Sequence, residues 1–152
     1  MKDLVLKIIV ENDMKIYLDF DGTVVEHYFP EIGAENPNAL NVISRLQTAG
    51  HEIILNTYRA DIDQQHVQEA LDFIHSSGNL VHPIDKFLPQ KLEPRSFDLE
   101  RAKESNQLYI DDIADGIPMR RNSVLEYGMM VDWIELEKRL EDAGFFEPLI
   151  NN

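Results

Sequence analysis

Short apolar runs and helical periodicities alternate along the chain. The runs at residues 16–20, 52–56 and 108–110 are short and nearly continuous, which is how buried strands read. Weaker runs at 80–84 and 123–127 read as further strands. Between the first two runs, Asn36 and Pro37 give an N-cap followed by proline at the first helical position. Ala39, Leu40, Val42, Ile43 and Leu46 then form an apolar stripe that stops at Gly50. Val67, Ala70, Leu71 and Ile74 repeat the helical spacing, and Gly78 ends that helix. A shorter helix is expected over residues 97–104. Asp132 and Glu135 have the spacing of a capping box and lead into Trp133, Leu136 and Leu140, a packing stripe that stops at Gly144.

Strand, helix, strand, helix is the grammar of a parallel sheet with helices on both faces. The expected fold class is therefore α/β, a three-layer, Rossmann-like parallel sheet. In such sheets a ligand sits outside the carboxyl ends of the strands. The residues directly after each strand should then be chemically coherent if there is a site.

Composition narrows the chemistry. A chain of 152 residues fits one domain with an ordinary core, 43% of its residues being hydrophobic. There is no cysteine, which excludes disulfides, thiolate zinc sites, iron–sulfur clusters and a cysteine nucleophile. Fourteen Lys and Arg stand against 28 Asp and Glu, a net charge of −14 that repels a phosphate backbone, so no nucleic-acid partner is expected. No apolar run approaches the ~18–20 residues of a membrane span. The early run from Leu4 to Val10 is broken by Lys7 and lacks a small-residue cleavage pattern, so it does not read as a signal peptide. The expectation is a soluble, acidic, cytoplasmic protein.

The strand ends are coherent. The first run leads into Asp19-Phe20-Asp21-Gly22-Thr23, the second into Asn56-Thr57-Tyr58-Arg59, and the run at 108–110 into Asp111-Asp112. Carboxylates crowded at one edge cannot all stay ionised cheaply unless a cation lies between them. Hard oxygen ligands suit Mg²⁺, which takes a few carboxylates together with substrate phosphate. Asp19 and Asp21 share one side of an extended segment, so one can attack while the other exchanges protons with a leaving group. Gly22 lets the chain turn away from the strand. Taken singly, Asp21-Gly22 is also a hairpin signal, and Asp111-Asp112 is also the acidic start of a solvated turn. It is their joint position after strands of one alternating pattern that favours a site.

These residues resemble the haloacid dehalogenase-like hydrolases. Asp19-Phe20-Asp21-Gly22-Thr23-Val24 after an apolar strand resembles that superfamily's motif I, Thr57 after Ile53-Ile54-Leu55 its motif II, and Tyr109-Ile110-Asp111-Asp112 its motif IV. The resemblance spans about residues 14–120, within one domain over 1–152. Residues 1–13 lie outside it and could add a strand, and 121–152 supply a C-terminal strand and helix. The phrases at 16–28 and 109–118 also resemble small phosphatase-like members that lack a cap domain. Only 13 residues separate Val24 from Asn36 inclusive, and residues 60–90 are mostly taken up by a helix and a strand, so neither of the usual insertion places holds a cap.

The resemblance implies a nucleophile at Asp19 that forms an aspartyl-phosphate, and a general acid and base at Asp21. It implies Mg²⁺ held by Asp19, the main-chain carbonyl of Asp21, and Asp111, with Asp112 in support. Thr57 would bond a phosphoryl oxygen. The remaining motif needs a lysine at the carboxyl end of the sheet, for which Lys86, Lys91 and Lys103 are candidates. Lys91 best satisfies the order of lysine, helix and returning strand. Substrate contacts are assigned to Gly22, Thr23, Arg59 and His27, with Tyr28 beside His27 in a short flap. Arg59 could equally pair with a local acid. His51, His66, His75 and His82 show no metal-ligand spacing. The expected activity is Mg²⁺-dependent hydrolysis of a phosphomonoester, on a phosphorylated small molecule or protein, in a monomer or a homo-oligomer. A catalytically weak phosphate- or metal-binding regulatory module on the same fold is the alternative.

Overall fold

In the computed structural model, residues 14–78, 80–121 and 128–149 are described. Three parallel strands form the central sheet: β1 (Lys15–Leu18), β2 (Glu52–Leu55) and β3 (Gln107–Ile110), in the order β2-β1-β3. Helix α1 (Ala39–Thr48) connects β1 to β2. A four-residue helix α2 (Arg59–Ile62), the longer α3 (Gln64–Ser77) and α4 (Leu99–Ser105) lie between β2 and β3. A two-stranded antiparallel ribbon follows, β4 (Met119–Arg121) and β5 (Met129–Val131), and then α5 (Trp133–Asp142). The architecture is mixed α/β. No helix among the described residues is long and apolar enough to cross a membrane.

The register of the sheet is what builds a site. Leu18 of β1 is level with Leu55 of β2 and Ile110 of β3. All three side chains are fully buried, as befits apolar residues where a sheet enters its core. The next residue on each strand, Asp19, Asn56 and Asp111, therefore emerges at one edge. Main-chain bonds carry the ladder past the last apolar pairs: Asp19 N donates to Ile110 O at 3.0 Å, and Asn56 N donates to Leu18 O at 2.7 Å.

Several local readings change on folding. Residues 80–84 do not form a strand. Pro83 has no N–H to give to a ladder, and pairing moves downstream, where Leu55 N donates to Lys86 O at 3.0 Å and Leu88 N to Leu55 O at 2.9 Å. A single parallel bridge between Leu55 and Phe87 results. Asn36 does not cap α1. The residue before the helix is Asn38, in a left-handed conformation with φ 71°, while Asn36 is buried and turned inward. The run at 123–127 lies outside the described residues, as do residues 1–13. Helices α3, α4 and α5 follow their signals closely, while the four-residue α2 has no counterpart in the periodicity. Asp98 caps α4 by accepting from Arg101 N, and Asp132 caps α5 by accepting from Ile134 N and Glu135 N, each at 3.1 Å.

Candidate functional site

The loop after β1 turns sharply, and three tertiary bonds hold it. Thr23 O accepts from Asn36 Nδ2 at 2.9 Å and from the indole Nε1 of Trp133 at 2.7 Å. Asn36 Nδ2 also donates to Val131 O at 2.7 Å, tying the loop to β5. Gly22 has φ 82°, and a Cβ there would fall on the His27 ring and within 2.5 Å of an Asp112 carboxylate oxygen. Only glycine fits. From this loop the chain folds back on itself through an antiparallel bridge between Val25 and Glu35, and the intervening flap carries His27 and Phe29 to the strand ends.

Lys91 occupies the centre. Its ammonium donates to Asp19 Oδ1 at 2.9 Å, to Asp111 Oδ2 at 2.5 Å and to Asn56 O at 3.0 Å. Lys91 stands on an extended segment that Asn56 grips from both sides. Asn56 Nδ2 donates to Leu92 O at 3.1 Å, and its Oδ1 accepts from Leu92 N at 2.9 Å. Asp61 adds a third tie by accepting from Lys91 N at 3.0 Å. Of the other two candidate lysines, Lys86 is exposed and paired with Glu52 at 3.2 Å, and Lys103 is exposed on α4. Neither lines the pocket that contains Lys91.

Asp19 is set by Thr23, whose hydroxyl donates to Asp19 Oδ2 at 2.7 Å and accepts from Asp112 N at 3.1 Å. Thr23 is thus a clamp between two acidic residues, with both roles of its hydroxyl engaged. Burial pushes the Asp19 carboxyl well above the usual carboxylate range, and Asp111 and Asp112 add to the shift against the pull of Lys91 and Thr23. Burial likewise raises Asp111, in spite of its bond from Lys91. It works against the ammonium of Lys91 too, but the Asp19 charge and the Asp111 bond prevail and hold Lys91 above the ordinary lysine value. At Asp112 burial is outweighed by the bond from His27, and its carboxyl lies below the usual range. The His27 Nε2 and Asp112 Oδ2 atoms are 2.7 Å apart, and that bond lifts the imidazole above its ordinary value.

Asp21 stands beside this cluster in the grip of Arg59. The guanidinium donates from Nε to Asp21 Oδ2 at 2.8 Å and from Nη2 to Asp21 Oδ1 at 2.9 Å, a bidentate fork. Its other donors reach Glu31 O at 3.0 Å and, at 3.4 Å, Pro30 O and His66 O. The group lies between the rings of Phe20 and Phe29, at 5.2 and 5.0 Å. Arg59 is fully buried, and its fork faces Asp21 rather than standing open for a substrate. Thr57 is buried at the end of β2, where its Oγ1 accepts from Arg59 N at 3.1 Å.

One pocket of about 270 Å³ gathers Asp19, Asp21, His27, Thr57, Arg59, Lys91, Asp111 and Asp112. Gly22 and Thr23 are buried and outside the lining, Thr23 bonded to Asp19 and Asp112 of it, and Tyr28 is exposed and outside the lining. Oxygen atoms of Asp19, Asp111 and Asp112 all lie within 4.8 Å of one another. Three carboxylates, two of them bridged by one ammonium and pushed toward the neutral form by burial, are a donor set that a hard divalent cation would suit. Asn36, Asn56 and Trp133 support the site through tertiary bonds that hydrophobic periodicity does not register. The histidines have other partners: His51 Nε2 lies 2.7 Å from Phe145 O, His66 Nδ1 lies 2.6 Å from Asp63, and His75 Nε2 accepts from Ile84 N at 3.0 Å. His82 is exposed.

No family model matches the chain, and no curated protein does. Among solved structures it is similar to a conserved protein from Bacteroides thetaiotaomicron, with 24% identity, a TM-score of 0.52, and coverage of 86% of this chain and 91% of that one. At that identity the likeness speaks to the fold.

Proposed function

We propose that the protein is a Mg²⁺-dependent phosphomonoester hydrolase on a Rossmann-like, capless haloacid dehalogenase-type fold. The observation that carries the reading is the Lys91 ammonium bridging Asp19 and Asp111 at the ends of adjacent parallel strands, with the Asp21 carboxylate fixed in the same pocket.

Asp19 supplies the nucleophilic oxygen. Its carboxylate attacks phosphorus and the ester P–O bond breaks; for this step Asp21 must enter in its protonated form, with Arg59 still bonded to its oxygens, and it gives that proton to the departing alkoxide. Asp21 then takes a proton from water, whose oxygen attacks the phosphoryl group, breaks its bond to Asp19 and releases inorganic phosphate. Thr57 and Lys91 line the same pocket as Asp19; Thr57 would donate its hydroxyl proton to a phosphoryl oxygen, and Lys91 would do so by exchanging one of its three present acceptors, fixed donors at such oxygens being the main source of rate in phosphoryl transfer. The Arg59 fork takes one lone-pair direction on each Asp21 oxygen and leaves another on each for proton exchange. Asp19, Asp111, Asp112 and the main-chain carbonyl of Asp21 would hold Mg²⁺. When bound, it offsets the crowded negative charge and withdraws electrons from the phosphoryl group.

The two-step scheme has a direct test. Asp21→Asn removes the base needed for the second step, so turnover should fall by roughly 10²–10⁴. With an activated aryl phosphate, whose departure needs little acid help, acid-quenched intact-mass analysis should find the phosphorylated chain accumulating on this variant. A variant that loses turnover with no trapped phosphoryl group under those conditions would count against a covalent step on Asp19.

A further inference from the structure

The mouth of the pocket differs in chemistry from its floor. Phe29, Tyr58, Ile62 and Ile113 line it, and they are 46%, 52%, 59% and 54% exposed. Single exposed apolar side chains are ordinary on any surface. These four come from three separate segments, the flap, the β2–α2 turn with α2, and the turn after β3, yet they meet around one opening. In a chain with a net charge of −14 that convergence asks for a ligand.

Two of the walls make contacts on the side away from the opening. The Phe29 ring lies 5.0 Å from the Arg59 guanidinium and 5.3 Å from the His66 ring. The Tyr58 hydroxyl donates to Glu93 Oε1 at 3.0 Å, and its ring centre is 5.2 Å from Lys91 Nζ. Aromatic side chains have few rotatable bonds, so they present apolar area to a ligand at little cost in conformational entropy.

The charges at the pocket argue in the same direction. Its basic residues are Lys91, Arg59 and His27, and they face Asp19 and Asp111, Asp21, and Asp112 respectively. Among the described lining residues no further cation is left for a second anionic group on a substrate. The Asp61 and Glu93 carboxylates stand close by, one on Lys91 N and the other on the Tyr58 hydroxyl, and would repel such a group. The pocket, at about 270 Å³, holds a phosphate and one compact group before a ligand passes out between the half-exposed mouth residues.

Building on the hydrolase reading above, we propose that the alcohol portion of the substrate is uncharged, compact and apolar, about the size of one aromatic ring. It packs between Phe29, Tyr58, Ile62 and Ile113 while its phosphate meets Asp19, Thr57 and Lys91. Hydrolysis would then release inorganic phosphate and an apolar alcohol.

The test compares three esters of primary alcohols, so that leaving groups of similar acidity are matched: phenethyl phosphate, glycerol phosphate, and phosphoglycolate, which adds a carboxylate. With the full chain and Mg²⁺, kcat/KM for phenethyl phosphate should exceed that for glycerol phosphate by about tenfold or more, chiefly through KM, with phosphoglycolate last. In Ile62→Ser and Ile113→Ser, both at exposed positions, the ratio of phenethyl to glycerol phosphate should fall several-fold. A ratio at or below one, or a ratio that neither substitution moves, would overturn this inference and leave the hydrolase reading standing. Absence of Mg²⁺-dependent release from all three esters would remove the hydrolase reading, and this inference with it.

Discussion

On the floor of the pocket, carboxylates, the lysine and the arginine are buried and bonded to one another; at its mouth, four apolar side chains stand half in solvent. The two regions are separated by only a few residues of chain, Asp111 from Ile113 and Thr57 from Tyr58. The floor is where a buried charge left without its partner is expensive, so its geometry is over-determined: Lys91 has three acceptors and Asp21 a two-pronged donor. The mouth carries no such penalty. Its residues can change without threatening the fold, which leaves them free to be set by what they touch.

Substitutions can sharpen that contrast. On the floor, Arg59→Ala leaves the Asp21 carboxylate without its fork and opens a hole between Phe20 and Phe29, and the expected loss is about 3–5 kcal/mol of unfolding free energy by urea titration. Arg59→Lys keeps the charge without the planar fork and should recover only part of it. A loss within experimental error for Arg59→Ala would mean that the floor is not held as described.

Between floor and mouth lies the half-exposed His27. Its pKa is raised in the folded state by the Asp112 bond, so the stability it adds is fully present below the ordinary imidazole value of 6.5 and is lost as pH rises through the raised value. The Tm difference between the wild type and His27→Ala should therefore be widest in mild acid and close as pH rises. A difference that stays constant with pH would show that the tie does not depend on the imidazolium charge. At the mouth, Ile62→Ser should alter stability by less than about 0.5 kcal/mol, whatever it does to substrate preference.

The same contrast explains what could be read from the chain. Asp19 and Asp111 were legible because each follows an apolar strand, and parallel register brings such positions to one edge. Chain order favours Lys91 among the three lysines, and the structure puts it between those aspartates. Asn36 misled because an asparagine before a proline has the local signature of a cap, whereas here its amide bonds two carbonyls far away in sequence. The weak run at 80–84 misled because a proline within it forbids the ladder that its apolar residues suggest. Trp133 read as packing alone, and its indole N–H turns out to hold the loop beneath Asp19. The inward fork of Arg59 and the convergence of Ile62 with Ile113 depend on tertiary geometry, for which local periodicity carries no signal.

The central claim is that Asp19 attacks phosphorus in a site that Mg²⁺ completes. The most direct measurement is release of inorganic phosphate from a panel of phosphomonoesters by wild type and Asp19→Asn, with Mg²⁺ and after chelation by EDTA. The account predicts release by the wild type that EDTA abolishes and Mg²⁺ restores, and none above background from a folded Asp19→Asn at any metal concentration. Sustained release by Asp19→Asn, or wild-type release indifferent to chelation, would contradict it.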